Sequence, residues 1–593
     1  MLRDIRKNKI FNRRALILGS SHALLSGILL SRLSYLQLFK YKDYSIQSDS
    51  NRIKTIVIPA PRGNIYDRSG ISLTENKNSY RLLLYLGKQK KFEKIIDRLS
   101  KILDLKDENK KIFLNRIQRS SHKSAVSLVD NLRWDDLARI ESNHHNLPGI
   151  SIESGIIRTY KYPSATAHFL GYVSLPSENE INGKEESLYM HPDFRLGKFG
   201  LEKSYDNYLR GQYGIKYVEV NSKDIPIRTL SQKNPKKGGD INSTIDLELQ
   251  NFIYNRLKGL IASVVVMGVD DGGILSYNSS PSFDINNFVE GASLEYWRQV
   301  STDPDLPLNN RPIAAIYPPG STFKMMVALA ALESGYNPAT KYRCRGYYKL
   351  GGRKFYCWKK TGHGTLDMMG AIKHSCNAYF FEVANKIGYK KFADMALRFG
   401  YGKSTDIILQ GENSGNVPDF AWKKRVIGVN WVGGDTLNAA IGQGFLLATP
   451  MQMAVVTCAI ANGGFFVKPH FIKKNTPPTR KKIIKNDDYI KFVQEAMFKV
   501  VNEKGGTAFY RRLRGNEFKV AGKTGTSQVI SRKKGDKENE DSKFGNHAIF
   551  VGFAPYDKPK YSISVVVEHG GGGSAVAAPI AMDIMKYIRD NIL

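Results

Sequence analysis

A serine hydroxyl becomes an acyl-transfer nucleophile when a neighbouring base removes its proton, and a lysine can be that base if its pKa is lowered. The stretch Tyr317-Pro318-Pro319-Gly320-Ser321-Thr322-Phe323-Lys324, with the apolar run Met325–Leu332 behind it, supplies both groups in one place. Two prolines and a glycine end whatever precedes, and the Met, Val, Ala and Leu residues that follow are good helix formers. Ser321 is therefore expected at or near the first turn of a buried helix, with Lys324 three residues on. Residues i and i+3 of a helix are neighbours, their Cβ atoms about 5–6 Å apart. Burial and a second cation nearby would lower the lysine pKa. The helix N-terminus would aim free N–H groups at a developing oxyanion. Alone, Ser-x-x-Lys is a weak signal: it recurs at Ser120/Lys123 and Ser531/Lys534, both in polar, charged surroundings that read as solvated surface.

A second group of side chains could hold a metal. Only four cysteines occur, and Cys344, Cys357 and Cys376 fall within 33 residues together with His363, in the order Cys-x12-Cys-x5-His-x12-Cys. Three thiolates and an imidazole would close a tetrahedral zinc site with no open position, the structural kind. Outside the cytoplasm the alternative is a Cys344–Cys357 disulfide, with Cys376 buried as a small apolar residue. The spacing matches no short zinc-finger pattern, and both readings stand.

These groups need a scaffold, and 593 residues at 42% hydrophobic allow several domains with sizeable cores. The net charge of +33 suits a lysine-rich solvated surface, anionic lipid or an acidic polymer. With no zinc-finger repeat, RRM signature or long basic tail, nucleic acid is not expected as a partner. Residues 1–14 carry six Lys/Arg against one Asp and read as a cytoplasmic tail. Ala15–Ser31 then gives 17 residues without a formal charge before Arg32. Seventeen helical residues span about 26 Å, enough for one tilted crossing with Arg32 snorkelling. No small-residue cleavage site is evident. Residues 15–38 are therefore expected as an uncleaved single-pass anchor, with everything after about residue 40 outside the cytoplasm.

Residues 40–240 read as a mixed α+β region without a nucleophile motif, phosphate loop or metal spacing. Its strand-like runs are Thr55–Ile58 and Tyr80–Leu86, and its helical ones Phe92–Leu103 and Ile112–Ser120. The segments Pro61–Gly70 and Gly197–Asp206 read as turns held by Arg–carboxylate pairs, and the polar segment Ser231–Gly239 as a boundary. From 241 to 593 the pattern is α/β. Ser263–Val269, Phe518–Ala521, His547–Phe553 and Ile563–Glu568 read as strands. Leu366–Lys386 reads as one long helical stretch, Met451–Ala461 as another and Ala577–Ile592 as a closing helix. Strands at both ends of a helical middle predict one sheet flanked by a helical cluster.

Two further motifs fit Ser321: Ser375-Cys376-Asn377, 54 residues downstream, and Lys523-Thr524-Gly525-Thr526. Decoys exist at Lys360-Thr361-Gly362, Ser276-Tyr277-Asn278 and Ser414-Gly415-Asn416, but only the first assignment combines order, spacing and a helix followed later by a strand. This set resembles that of the penicillin-binding proteins and class A β-lactamases. The Tyr317–Lys324 stretch, the Arg62–Gly70 and Gly197–Asp206 segments, Thr244–Gln250 and His547–Pro555 all look like class B penicillin-binding proteins. In detail the chain resembles the elongation-specific penicillin-binding protein 2 more than the division-specific member, from the anchor to the last helix. No Glu-Asp-x-x-Phe glycosyltransferase motif is present, unlike in the bifunctional class A enzymes.

The resemblance implies an α/β (α+β) penicillin-binding transpeptidase fold, a sheet with flanking helices and a helical subdomain, on a non-catalytic dimerisation-type pedestal. It implies a periplasmic D,D-transpeptidase of the bacterial inner membrane that cross-links peptidoglycan during elongation beside a RodA-type glycan polymerase, and that β-lactams inhibit. Ser321 would attack the stem pentapeptide and Lys324 take its proton. Ser375 would relay a proton and Asn377 hold the substrate amide. Lys523, Thr524 and Thr526, on an edge strand with Gly525, would hold the donor's carboxylate, with the N–H groups of Ser321 and Thr526 as oxyanion hole. The rival readings are a D,D-carboxypeptidase or β-lactamase, a β-lactam sensor, and an inert scaffold for a polymerase. Some elongation-type members carry zinc beside the second motif, with carboxylates at some ligand positions. The cysteines of this chain depart from that pattern.

Overall fold

The computed structural model describes residues 2–40, 52–85, 92–105, 107–118, 125–129, 131–181, 189, 194–220, 226–289, 291–474, 476, 478–515, 517–528 and 545–593. Both solvated Ser-x-x-Lys decoys, at Ser120/Lys123 and Ser531/Lys534, lie outside them, as do Leu86 and Ser120 at the ends of two expected elements. The chain begins with a helix, Leu2–Ser34, prolonged by a wider turn over Tyr35–Phe39. Its segment Asn12–Phe39 is long and apolar enough to cross a membrane, and its apolar stretch is not buried among the described residues.

The half of the chain that carries the three motifs is built on five antiparallel strands: β1 (Ala262–Gly268), β2 (Ile274–Ser280), β3 (Ala521–Ser527), β4 (His547–Ala554) and β5 (Tyr561–Val567). They lie side by side as β2-β1-β5-β4-β3. Every residue of β1, β2 and β5 is buried, because helices cover the sheet on both faces, and the valine-rich runs of β1 and β5 suit that setting. Helix α1 (Lys324–Glu333) has only its last residue outside the core. Helix α4 (Pro450–Ala461) is buried along its whole length and packs on β5 and β1. It starts at a capping box in which Gln452 N–H donates to Thr449 Oγ1 and Thr449 N–H to Gln452 Oε1. Helix α5 (Asp487–Asn502) lies along β3, and α6 (Ala578–Asn591) closes the fold over β4 and β5.

Two expectations need correction. The stretch read as one helix over Leu366–Lys386 is two, α2 (Met368–Lys373) and α3 (Asn377–Ile387). Between them Ser375 has φ +55, a conformation that no helix interior accommodates. The third-motif strand is β3 itself, Ala521–Ser527, rather than Phe518–Ala521. Its glycines and lysine lower its β-propensity, but pairing with β4 along its whole length, Ala521↔Phe553 to Ser527↔His547, holds it extended.

Ahead of that half, the strands Ile53–Ile58, Gly214–Val220 and Pro226–Lys233 form one antiparallel sheet. Ala125–Val129, Thr74–Tyr85 and Ile150–Tyr160 form another, with its own core under the helices Phe92–Ile102 and Asp107–Gln118. The segment Ser231–Gly239, read as a boundary, is part strand. Its end is clasped by the preceding region, with Gly238 N–H donating to Pro61 O and Gly239 N–H to Tyr208 O. A continuous core joins Ile65, Tyr160, Phe169 and Leu201 to Val265, Tyr277 and Phe471, so the two halves share buried surface.

Candidate active site

The Pro-Pro-Gly sequence delivers Ser321 on a single 3-10 turn, Gly320–Phe323, that runs directly into α1. In that tighter helix i and i+3 eclipse, so Ser321 stands over Lys324. Gly320 has φ +57, and a Cβ there would come within 2.8 Å of Thr526 O. Only glycine lets the nucleophile turn lie against β3. Gly320 N–H donates to Gly442 O, and Gln443 Nε2 donates to Thr526 O at 3.1 Å. Ser321 is half-buried, whereas Lys324 at its foot has no exposed surface.

The loop between α2 and α3 enters from the opposite side. Lys324 Nζ donates to Ser375 O at 2.8 Å and to Asn377 Oδ1 at 2.8 Å, and stands 3.3 Å from Ser375 Oγ. Lys523 Nζ, on β3, donates to Ser375 Oγ at 2.8 Å and to Thr524 O at 2.9 Å. The Ser375 hydroxyl thus lies between two buried amines. Burial lowers the Lys324 pKa from 10.5 to about 8, although the thiol groups of Cys376 and Cys357 oppose the shift. Lys523 is pushed well below its usual value by burial and then by the charge of Lys324. All three motifs converge here. Thr526 is exposed, and Gly525 packs against the carbonyl of Pro319. The decoys do not join them: Asn278 donates to Ser276 inside the sheet, Asn416 to Phe445 O, and Gly362 packs on Gly346.

The ligand atoms of Cys344, Cys357, His363 and Cys376 lie within 4.8 Å of one another, and the structure contains free cysteines rather than a disulfide. His363 Nδ1 is 3.7 Å from Cys344 Sγ and 3.5 Å from Cys357 Sγ. A tetrahedral zinc with ordinary Zn–S and Zn–N bonds sets that edge at about 3.6 Å, so the donor set fits the ion. Hydrogen bonding from the Cys376 thiol lowers the Cys357 pKa against the opposing effect of burial, with His363 and backbone N–H groups adding to it. Its neighbour Cys376 is pushed the other way, by that same contact and by burial. Cys357 Sγ also accepts the Asn377 N–H at 3.3 Å, tying the cluster to the first turn of α3. Cys458, the fourth cysteine, is buried elsewhere against Gly268 and Val269.

Sequence reasoning missed Trp358, whose indole N–H donates to Ser375 O at 3.1 Å. Its place next to Cys357 was the available signal. It also missed Gln443, flanked by Gly442 and Gly444, and Thr507, whose Oγ1 lies 2.6 Å from Thr524 Oγ1.

Residues 262–586 match the penicillin-binding protein transpeptidase domain, and residues 57–243 the penicillin-binding protein dimerisation domain. The chain is 33% identical over 611 aligned residues to the peptidoglycan D,D-transpeptidase MrdA of Escherichia coli, covering 99% of this chain and 95% of that one. The structure superposes on penicillin-binding protein PBP2 in its complex with MreC from Helicobacter pylori, with a TM-score of 0.81 and 30% identity over 91% of this chain and all of that one. It also superposes on a chain of a peptidoglycan synthase complex that coordinates polymerization and crosslinking, with a TM-score of 0.69 and 30% identity over 96% of this chain and 97% of that one. With both domains in their family order and relatives matched over nearly their full length, the chain belongs to the class B penicillin-binding proteins.

Proposed function

We infer that this chain is a peptidoglycan D,D-transpeptidase that cross-links stem peptides through an acyl-enzyme on Ser321. The observation that carries this reading is the meeting of Lys324, Ser375, Asn377 and Lys523 below the Ser321 turn, in a chain of this family. In its neutral form Lys324 spends its two N–H bonds on Ser375 O and Asn377 Oδ1, which leaves a lone pair for the Ser321 proton. Ser321 Oγ attacks the penultimate D-Ala carbonyl, and the N–H groups of Ser321 and Thr526 stabilise the tetrahedral oxyanion. The C–N bond breaks, and the proton held on Lys324 passes through the Ser375 hydroxyl to the leaving D-Ala amine. An amine of a neighbouring stem then attacks the ester carbonyl, returns a proton along the same path, and frees Ser321. Thr524 and Thr526, with the charge of Lys523 behind them, hold the donor's carboxylate.

Residues 1–14 are read as a cytoplasmic tail, 15–38 as an inner-membrane anchor, 40–240 as the pedestal and 241–593 as the periplasmic catalytic domain. The basic flank before the apolar helix supports that orientation. Cys344, Cys357, His363 and Cys376 are proposed to hold a structural zinc ion, which when bound ties the 344–363 loop to Ser375 and Asn377. The pedestal and anchor are proposed to bind elongation-complex proteins, an MreC-type partner and a RodA-type glycan polymerase. A pedestal cleft of about 920 Å³, lined by Arg62, Arg158, Phe194, Arg210 and Tyr213 among others, offers room for a protein segment.

The test is intact mass after exposure to a penicillin. One adduct per chain is expected, mapped to Ser321, and none on Ser321→Ala. Absence of an adduct on folded protein would sink the enzymatic reading. Cross-linked rather than trimmed stem peptides, when the full chain meets nascent peptidoglycan, distinguish transpeptidation from carboxypeptidation.

A further inference from the structure

The segment from Asn502 to Thr507 leaves α5 and touches both walls of the pocket. On one side the Glu503 carboxylate pairs with Lys373 Nζ at 2.8 Å, and Gly505 O meets His374 Nδ1 at 3.0 Å; both partners immediately precede Ser375. On the other side Asn502 Nδ2 donates to Val520 O at 2.9 Å, just before β3, and Thr507 Oγ1 lies 2.6 Å from Thr524 Oγ1. The course of this strap is sterically fixed. Gly505 has φ +88 with the His374 ring 3.0 Å from where a Cβ would sit, and a Cβ on Gly506 would come within 2.3 Å of Val500 O.

Two hydroxyls at this separation share one hydrogen bond, and its direction matters. If Thr524 donated to Thr507, its only proton would be consumed and its lone pairs would face an incoming anion. If Thr507 donates, the Thr524 proton is free for that anion. Two N–H bonds of Lys523 are committed to Ser375 Oγ and Thr524 O, so the amine has at most one more to offer an incoming anion. Hydroxyl protons therefore carry much of the direct contact with a carboxylate.

We propose that Thr507 is a positioning residue for carboxylate recognition: its hydroxyl donates to Thr524 Oγ1 and turns the Thr524 proton toward the terminal carboxylate of the acyl donor. The donated hydrogen bond also polarises the Thr524 O–H, strengthening its bond to the anion. The inference rests on the reading of this pocket as one that accepts a donor ending in a free carboxylate.

The experiment compares second-order acylation rates of the full chain with benzylpenicillin and with its methyl ester, in wild type, Thr507→Val and Thr507→Ser, with melting temperatures measured alongside. In Thr507→Val the preference for the free acid over the ester should fall about five- to ten-fold, the size expected for losing one hydrogen bond in a chain that ends on a charge. Thr507→Ser should restore it to near the wild-type ratio. A merely structural role for Thr507 slows both compounds alike and leaves the ratio unchanged, and that result would overturn the proposal. A wild type that neither compound acylates would overturn the transpeptidase reading itself, so the two failures are distinguishable.

Discussion

At the scale of single residues, Lys324 decides whether Ser321 can react. Its amine is fully buried among Ser375, Asn377 and the ring of Phe380. Burial brings its pKa down to about 8, which makes the free base available near physiological pH. The sign follows from the role: a base acts only when unprotonated, so acylation is lost as pH falls below about 8. A single titration leaves about a tenth of the amine free at one pH unit below its pKa. The logarithm of the acylation rate constant should therefore rise with unit slope from pH 6 to about 8 and then level off, as followed with a fluorescent penicillin. Lys324→Arg should keep the fold, at a lowered melting temperature because a bulkier permanent charge replaces a fully buried amine, and lose about 100-fold or more in acylation, because guanidinium stays protonated at working pH. A flat pH profile together with an active arginine variant would move the base role to another group, Ser375 being next in line.

At the scale of elements, the nucleophile helix, the buried strands and α4 are legible because apolar runs bounded by Pro, Gly and capping residues fix them locally. The second motif is less so. Leu366–Lys386 carries helical periodicity, and nothing local announces that Ser375 takes φ +55 and splits it. Tertiary partners impose that kink: Trp358 and Lys324 both donate to Ser375 O, while Cys357 Sγ accepts the Asn377 N–H. β3 starts three residues and ends six residues beyond the expected Phe518–Ala521 for a related reason, since Gly522 and Gly525 look like loop but pair along β4. The kink is where the cysteine cluster matters, because a left-handed non-glycine residue costs about 1–2 kcal/mol and needs surroundings that hold it. With zinc bound, the cluster would fix Cys376, the residue between Ser375 and Asn377. Purified protein should hold close to one zinc per chain by elemental analysis, and Cys344, Cys357 and Cys376 should resist alkylation. Cys376→Ser or chelation should lower both the melting temperature and the acylation rate, although neither touches Ser321. A mapped Cys344–Cys357 disulfide in metal-free protein would defeat this expectation.

At the scale of the whole molecule, the two motifs read from the sequence as separate turns are one device. Arg62 of the first donates to the buried Glu202 of the second at 2.6 Å and pairs with Asp206 at 2.8 Å, while Arg158 donates to the other oxygen of Glu202 at 2.9 Å. Arg158 lies on the strand Ile150–Tyr160, whose last residue is bound on both backbone atoms by Asn286 of the catalytic half. Ser204 Oγ adds a second tie by donating to Ile408 O, and accepts a hydrogen bond from Gln410. The Glu202 knot thus holds the pedestal strands at the place where they join the shared core, while Ser321, Lys324, Ser375 and Lys523 are set among other contacts, on the turn into α1, on α1, in the loop between α2 and α3, and on β3. Glu202→Ala leaves two buried guanidinium groups facing each other without their carboxylate, a change that costs about 3–5 kcal/mol. We expect a correspondingly lower unfolding midpoint and faster hydrogen exchange in residues 62–80 and 150–160, with β1, β4 and β5 still protected. Acylation of the folded fraction at low temperature should stay within about two-fold of wild type, as for sites that share no partner. Loss of acylation with an unchanged midpoint would mean instead that the Glu202 knot governs the geometry of the Ser321 pocket directly.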